Sequence, residues 1–356
     1  MRMAPRLRRS DCSGPGIRRK RRGRGFGYVD DEGNKVDEPE VLTRIAELGI
    51  PPAWQEVWIC PYPNGHLQAT GVDAAGRKQY RYHDVWRTRR DNEKFEDMVR
   101  FAKALPKLRE RVDRDLGDCA SLDRRCVLAA AVRLLEIGFF RIGSEEYAVE
   151  NASYGLATLR KEHVTVDADG VMVFDFPAKS GQRRRQGIQD ARLAGIIAAL
   201  KRRRGGGVEL LAYKDGGRWQ DVRSEDINAY IKDATGDDFS AKDFRTWNAT
   251  ALAAVALAVS GRSATTKTAR KRAIRRAIQE VSGYLGNTPA VCRASYIDPR
   301  VFDAFDGGLT IRPALERVAA KIEPGELPIH QPALEAAVLD LIDEREQSAA
   351  LERVAA

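Results

Sequence analysis

The chain has 356 residues, enough for two domains with a core each, and its 60 Lys and Arg against 51 Asp and Glu give a formal net charge of +9. The composition, 43% hydrophobic and 31% charged, is that of a soluble globular protein, and the longest apolar run, residues 249–259, is too short to span a bilayer. No apolar signal region opens the sequence, five scattered cysteines suggest neither a disulfide framework nor a zinc motif, and four histidines offer no metal-ligand spacing; a reducing cytoplasm is therefore expected, with no metal and no membrane. Residues 1–25 hold ten Arg or Lys and one Asp among Gly and Pro, which predicts a disordered basic arm. Glycines in "GRGFGY" follow no predicted strand, and no phosphate-binding loop of the Gly-x-x-x-x-Gly-Lys type occurs, so neither ATP nor a dinucleotide is called for.

Residues 26–90 read as a small β-rich domain. "PEVLTRIAELGI" is a short helix stopped by Pro51 and Pro52, while "EVWICPY" and "GHLQATGVDAAGRKQYRYH" combine β-formers with turn residues. In "GRKQYRYH" the cations Arg77, Lys78 and Arg81 interleave with Gln79, Tyr80 and Tyr82. As a strand it puts Gln79 and Arg81 on one face and the two tyrosines on the other. Two uses fit the stretch alone: a half-buried strand with its tyrosines in the core, or a DNA-contacting strand in which Gln reads adenine and the cations hold phosphates.

From residue 91 to 356 the pattern is mostly helical. "SLDRRCVLAAAVRLLEIGFF" has helical spacing, and Arg141 in "FFRIGS" falls between that helix and one starting at Ser144. "HVTVDADGVMVFDFPAKSGQRRRQGI" alternates and turns twice, predicting a three-stranded meander with Lys179 at its second tip. Ser240 and Asp243 form a capping-box pattern at the head of a helix carrying Lys242 and Arg245. A further helix ends at Gly286. Thr288 and Pro289 then open a short one that reaches Tyr296. Residues 310–356 give one or two more helices.

A tyrosine attacking a phosphodiester needs its phenolate favoured, since a free phenol has a pKa of ~10. It also needs cations on the non-bridging oxygens and a proton for the departing oxygen. Arg141, Lys179, Arg245, Asn287 and Tyr296 supply such a set, in that chain order. With "IPPAWQEVWI" and "HLQATGVDAAGRKQYRYH", these motifs resemble the type IB DNA topoisomerases of the compact poxvirus-and-bacterial kind, over residues 26–310. The resemblance implies an α+β fold, a small β-rich N-terminal domain followed by a larger helical catalytic domain, clamped around double-stranded DNA. It implies that Tyr296 is the nucleophile forming a 3′-phosphotyrosyl link, that Arg141 and Arg245 stabilise the transition state, and that Lys179 is the general acid. Asn287 stands where many relatives have His, implying a hydrogen bond to phosphate, since an amide is no general base. Arg77, Lys78, Gln79, Tyr80, Arg81, Tyr82 and Lys242 are implied to touch DNA. A monomer without cofactors, acting on the bacterial nucleoid, completes the expectation. The rival readings are a tyrosine recombinase, whose usual His-x-x-Arg is replaced here by Lys242-Asp243-Phe244-Arg245, and a catalytically inactive DNA-binding relative.

Overall fold

The computed structural model describes residues 6–117, 119, 121–321 and 328–353. The chain is α+β and divides into two compact units, one up to Lys94 and one from Phe95 onward.

The first unit is built on β1 (Ile17–Arg22), β2 (Gly25–Val29), α1 (Pro39–Glu47), β3 (Gln55–Ile59), β4 (Leu67–Val72) and β5 (Lys78–Tyr82). The strands form one antiparallel sheet in the order β2-β1-β3-β4-β5. Ile17, Val57, Ile59 and Ala69 pack with Ile45 of α1 as its core. Residues 17–25 therefore correct the expected disordered arm; residues 1–5 lie outside the described residues. Charge count misled because the arginines of β1 are held by more than water. Ile17 is buried, and the Arg19 guanidinium lies 4.2 Å from the Phe26 ring centroid. That guanidinium also donates to the Trp54 carbonyl at 2.5 Å, while β1 pairs on both its edges. "GRGFGY" does follow a strand: it is the turn of the β1–β2 hairpin and most of β2, with Gly23 at φ 56.

α2 (Asp84–Gly117) carries the chain into the second unit. There follow α3 (Arg124–Gly138), α4 (Glu145–Asn151), and the predicted meander of β6 (Val164–Val166), β7 (Val171–Pro177) and β8 (Arg183–Gln189). α5 (Ala191–Arg202) is followed by a hairpin that sequence patterning did not anticipate, β9 (Ala212–Asp215) with β10 (Arg218–Asp221). Then come α6 (Ser224–Thr235), α7 (Ala241–Ser260), α8 (Lys267–Leu285), α9 (Pro289–Ser295) and α10 (Pro299–Asp306). β11 (Leu309–Thr310), α11 (Arg312–Ala319), α12 (Pro332–Ile342) and β12 (Glu352–Arg353), which pairs with β11, close the unit.

α7 is the axis of this unit. Its alanine run lets α3, α8, α10 and α12 come close, so it is buried nearly all round, as a central core helix must be. The Ser240–Asp243 capping box starts it. A buried ionic cluster ties the surrounding helices together: Arg109 of α2 makes a bidentate pair with Glu335 of α12, at 2.6 and 2.7 Å, and a third bond to Glu136 of α3. Its guanidinium holds the Glu136 carboxyl below the usual range, against the upward push of burial. One cysteine expectation is corrected too: Cys119 and Cys126 form a disulfide between the end of α2 and the first turn of α3. Cys12, Cys60 and Cys292 are free. No helix among the described residues is long and apolar enough to cross a membrane.

Candidate active site

Two helix C-termini converge in the second unit, those of α3 and α8. The last carbonyls of a helix have no partner within it and carry partial negative charge, so they attract cations. α3 ends with Phe139 in the left-handed region at φ 52, a conformation that costs a non-glycine residue about 1–2 kcal/mol. α8 ends with Gly286 at φ 62, where glycine takes the same conformation freely.

Arg245 reaches from the second turn of α7 into this junction and is 4% exposed. One Nη donates to the Phe139 carbonyl and the other to the Leu285 carbonyl, both at 2.8 Å. Arg141 lies just beyond α3. Its backbone carbonyl accepts from Leu156 N–H at 2.8 Å, and the next carbonyl, of Ile142, accepts from Ala157 N–H at the same distance. That pairing needs two glycines at the crossing: a Cβ on Gly155 would stand 2.4 Å from the Gly143 nitrogen. So fixed, Arg141 donates to the Gly286 carbonyl at 2.9 Å and to Asn287 Oδ1.

Asn287 and Tyr296 are linked by α9. Thr288 accepts from Val291 N–H at its head, Pro289 takes the first position, and Tyr296 is the residue that closes it. Tyr296 is half-buried, its carbonyl accepting from Thr250 Oγ1 of α7 at 3.3 Å. The ring lies with its centroid 5.3 Å from the Arg245 guanidinium carbon. Burial alone would raise the phenol's pKa. The positive charge of Arg245 close by, aided by Arg141 and Lys242, outweighs it, so the hydroxyl ionises below its ordinary range.

Four of the five residues expected in the site are thus brought together: Arg141, Arg245, Asn287 and Tyr296. Lys242 stands one turn before Arg245 on the exposed side of α7, close enough to favour the Tyr296 anion. Lys179 is not in the cluster. It is exposed at the tip of the β7–β8 hairpin, with its ammonium 5.8 Å from the Tyr147 ring centroid. In the first unit, β5 is an edge strand whose Tyr80 and Tyr82 are 48% and 42% exposed, with rings stacked at 6.1 Å. That disposes of the buried-tyrosine reading of "GRKQYRYH". Arg77 and Gln79 both bind Asp73, each at 2.9 Å, while Lys78 and Arg81 are exposed.

Sequence reasoning missed Arg184. It is the inward-facing member of "RRR" on β8, and it donates to the carbonyls of Tyr284 at 2.8 Å and Gly138 at 3.3 Å. The period-two burial of β8 was the available signal, but three identical neighbours gave no reason to single one out. None of Arg141, Arg184 and Arg245 pairs with a carboxylate among the described residues. Burial and mutual repulsion press Arg245 and Arg184 down to about 10 each. Both guanidinia remain charged at neutral pH, and the depression records positive charge with no anion beside it. Two buried donors are also left without a partner, Arg245 Nε and Asn287 Nδ2. Buried N–H groups are rarely orphaned, and here one belongs to the arginine beside the Tyr296 ring and the other to the residue that binds Arg141. The arrangement can take an anion of phosphate type.

A tyrosine beside such a cationic cluster is suited to phosphate chemistry. Comparison with known families narrows the class. Residues 83–305 match the catalytic core of eukaryotic DNA topoisomerase I, and residues 25–73 match the N-terminal domain of bacterial DNA topoisomerase IB. The chain is 34% identical over 290 residues to DNA topoisomerase 1B of Acanthamoeba polyphaga mimivirus, covering 79% of this chain and 85% of that one. It is 25% identical over 103 residues to DNA topoisomerase 1B of Vaccinia virus (strain Copenhagen), 29% of this chain and 32% of the viral one. The chain belongs to the type IB DNA topoisomerases and is an isomerase of that family.

Proposed function

We propose that this chain relaxes supercoils of either sign by cutting and resealing one strand of duplex DNA through Tyr296. The Tyr296 phenolate, its proton already released to solvent, attacks the phosphorus, the 5′-oxygen departs, and a 3′-phosphotyrosyl link forms. Lys179 gives the 5′-oxygen its proton, which requires the hairpin tip to close toward the bound phosphate. Arg141 and Arg245 take up the charge that grows on the non-bridging oxygens, with Asn287 donating a neutral hydrogen bond. The free end rotates about the intact strand. Its 5′-hydroxyl then attacks the phosphotyrosine, returning a proton to Lys179 and freeing the tyrosine. One phosphoester is exchanged for another at each step, so the reaction draws on no ATP, and the arginines take the place a metal ion would have on the non-bridging oxygens.

The observation that carries this reading is the pair of orphaned buried donors, Arg245 Nε and Asn287 Nδ2, beside a phenol whose ionisation the arginines favour. A phosphate oxygen in this seat would satisfy both. DNA contact extends to the first unit, where the exposed Tyr80 and Tyr82 present faces to the duplex while Lys78 and Arg81 meet phosphates; Gln79 reads a base only by leaving Asp73. Both units grip the same duplex as a clamp, and a single chain acts as a monomer on the nucleoid in the bacterial cytoplasm. The test is relaxation of positively and negatively supercoiled plasmid in EDTA without ATP. Complete relaxation of both is expected. Relaxation that needs ATP or a divalent ion, or of one sign alone, would overturn the reading.

A further inference from the structure

The three guanidinia of the site are not merely close; they occupy successive carbonyls. Tyr284, Leu285 and Gly286 at the end of α8 each offer one oxygen, and these are taken in order by Arg184, Arg245 and Arg141. Two of the arginines also reach across to α3, again in order: Arg184 to Gly138 and Arg245 to Phe139. Each of these two is therefore a rung between the same pair of helix ends, one residue apart. Arg184 is further fixed by donating from Nε to Gln186 Oε1 at 2.7 Å, and Gln186 itself donates to the Gly138 carbonyl at 2.8 Å.

We propose that Arg184 is a positioning residue for the phosphate seat, the rung that sets the spacing of the α3 and α8 ends and so the aim of Arg245 and Arg141. The inference rests on the reading that Tyr296 attacks a DNA phosphate in this cluster. The chemistry favours a guanidinium at this rung. One Nη bridges the carbonyls of the two helix ends while Nε, on the same rigid plane, is held by Gln186, a combination that a single ammonium supplies less well. Its charge lies beside two other cations, an unfavourable placement that the convergent carbonyls of two helix ends offset. Removing it relaxes the gap between the helix ends. Arg245 holds one carbonyl on each side of that gap, so its guanidinium shifts relative to Tyr296 and to the phosphate. Gly286 is closely approached at this point: a Cβ there would lie 3.2 Å from an Arg184 Nη, which would have to give by a few tenths of an ångström.

The experiment compares wild type, Arg184→Ala, Arg184→Gln and Arg184→Lys in single-turnover covalent cleavage of duplex DNA, with DNA affinity, thermal stability and the pH profile of cleavage measured alongside. Arg184→Ala should slow cleavage on the order of 10- to 100-fold, the cost of a misaimed catalytic group. DNA affinity should stay within about twofold, since affinity comes from many phosphate contacts. The midpoint of the cleavage–pH profile should move up toward the ordinary phenol range, because Arg245 is the largest influence favouring the Tyr296 anion. Arg184→Lys should recover part of the rate and of the midpoint, and Arg184→Gln less. Cleavage within twofold of wild type in all three variants overturns the proposal. So does a rate that falls only in step with affinity and stability while the midpoint stays in place, since that is loss of fold and not of aim. A wild-type protein that forms no covalent adduct defeats the reading of the site itself. Wild-type adduct with unaffected variants defeats the role of Arg184 alone.

Discussion

Asn287→Asp separates an anion seat from a merely well-packed turn, because it should move stability and activity in opposite directions. In the free protein Asn287 Oδ1 accepts from Arg141, and no carboxylate pairs with Arg141, Arg184 or Arg245 among the described residues. Aspartate keeps the shape and adds a negative charge where the DNA phosphate would otherwise sit. At a separation of ~4 Å and an effective dielectric constant of ~20, its attraction to one guanidinium is about 4 kcal/mol. The free protein should gain a part of that, visible as a higher melting temperature. In the complex the same charge opposes the phosphate and occupies Arg141. A loss of ~4 kcal/mol in the transition state is about a thousandfold in rate. Asn287→Ala is the control. It removes one hydrogen bond to a charged donor and one neutral donor, yet leaves Arg141 on the Gly286 carbonyl. Its cost should be ~1–3 kcal/mol, about 5- to 150-fold. Asn287→His should stay active and add a pH dependence near the histidine pKa, ~6.5. The assay is single-turnover cleavage of a duplex whose cut strand dissociates, resolved on denaturing gels and run beside thermal melts. An Asn287→Asp protein that cleaves within about tenfold of wild type, or melts below it, would refute the reasoning.

Lys179→Ala should slow cleavage of ordinary DNA strongly and be rescued by a 5′-bridging sulfur, a leaving group that needs no proton; equal slowing on both substrates would remove Lys179 from the general-acid role. Gly286→Ala combines a left-handed φ of 62 with a Cβ 3.2 Å from Arg184 Nη1, so melting should drop by the equivalent of roughly 1 kcal/mol and cleavage should slow, an unchanged rate counting against tight coupling of that turn to the arginines. On α8, Lys271, Arg272, Arg275 and Arg276 are exposed and have no ion-pair partners among the described residues. Changing all four to Gln should leave folding intact and flatten the salt dependence of DNA affinity, by up to ~0.9 in log–log slope for each phosphate that is no longer neutralised. An unchanged slope means that this face of α8 does not meet DNA.

The site was legible where local motif and chemistry coincided. Tyr296, Asn287 and Arg245 sit in stretches whose caps and turns could be read directly: Thr288 with Pro289, Gly286, and the Ser240–Asp243 box all stand where the structure has them. Arg184 was not legible because its role comes from two carbonyls, Gly138 and Tyr284, that are 46 and 100 residues away. The same holds for the ionic cluster beneath α3, where Arg109 and Glu335 are 226 residues apart. β1 was obscured for a different reason: counting charges treats every arginine as solvated, whereas Arg19 lies over Phe26 and donates to carbonyls of the loop before β3. Cys119 and Cys126 meet across the connection from α2 to α3 at a separation of 7, which no Cys-x-x-Cys rule would detect.

The central claim is that the Tyr296 hydroxyl becomes covalently joined to DNA. The direct measurement is detergent trapping of wild type and Tyr296→Phe on duplex labelled at the 5′ end of the cut strand, the part that stays joined to the tyrosine, followed by peptide mapping of the adduct. The account predicts a labelled adduct on the peptide holding Tyr296 in the wild type. It predicts none in Tyr296→Phe, with non-covalent DNA affinity largely kept, because the ring and all the arginines remain. An adduct that persists in Tyr296→Phe, or one that maps to any other residue, would contradict it.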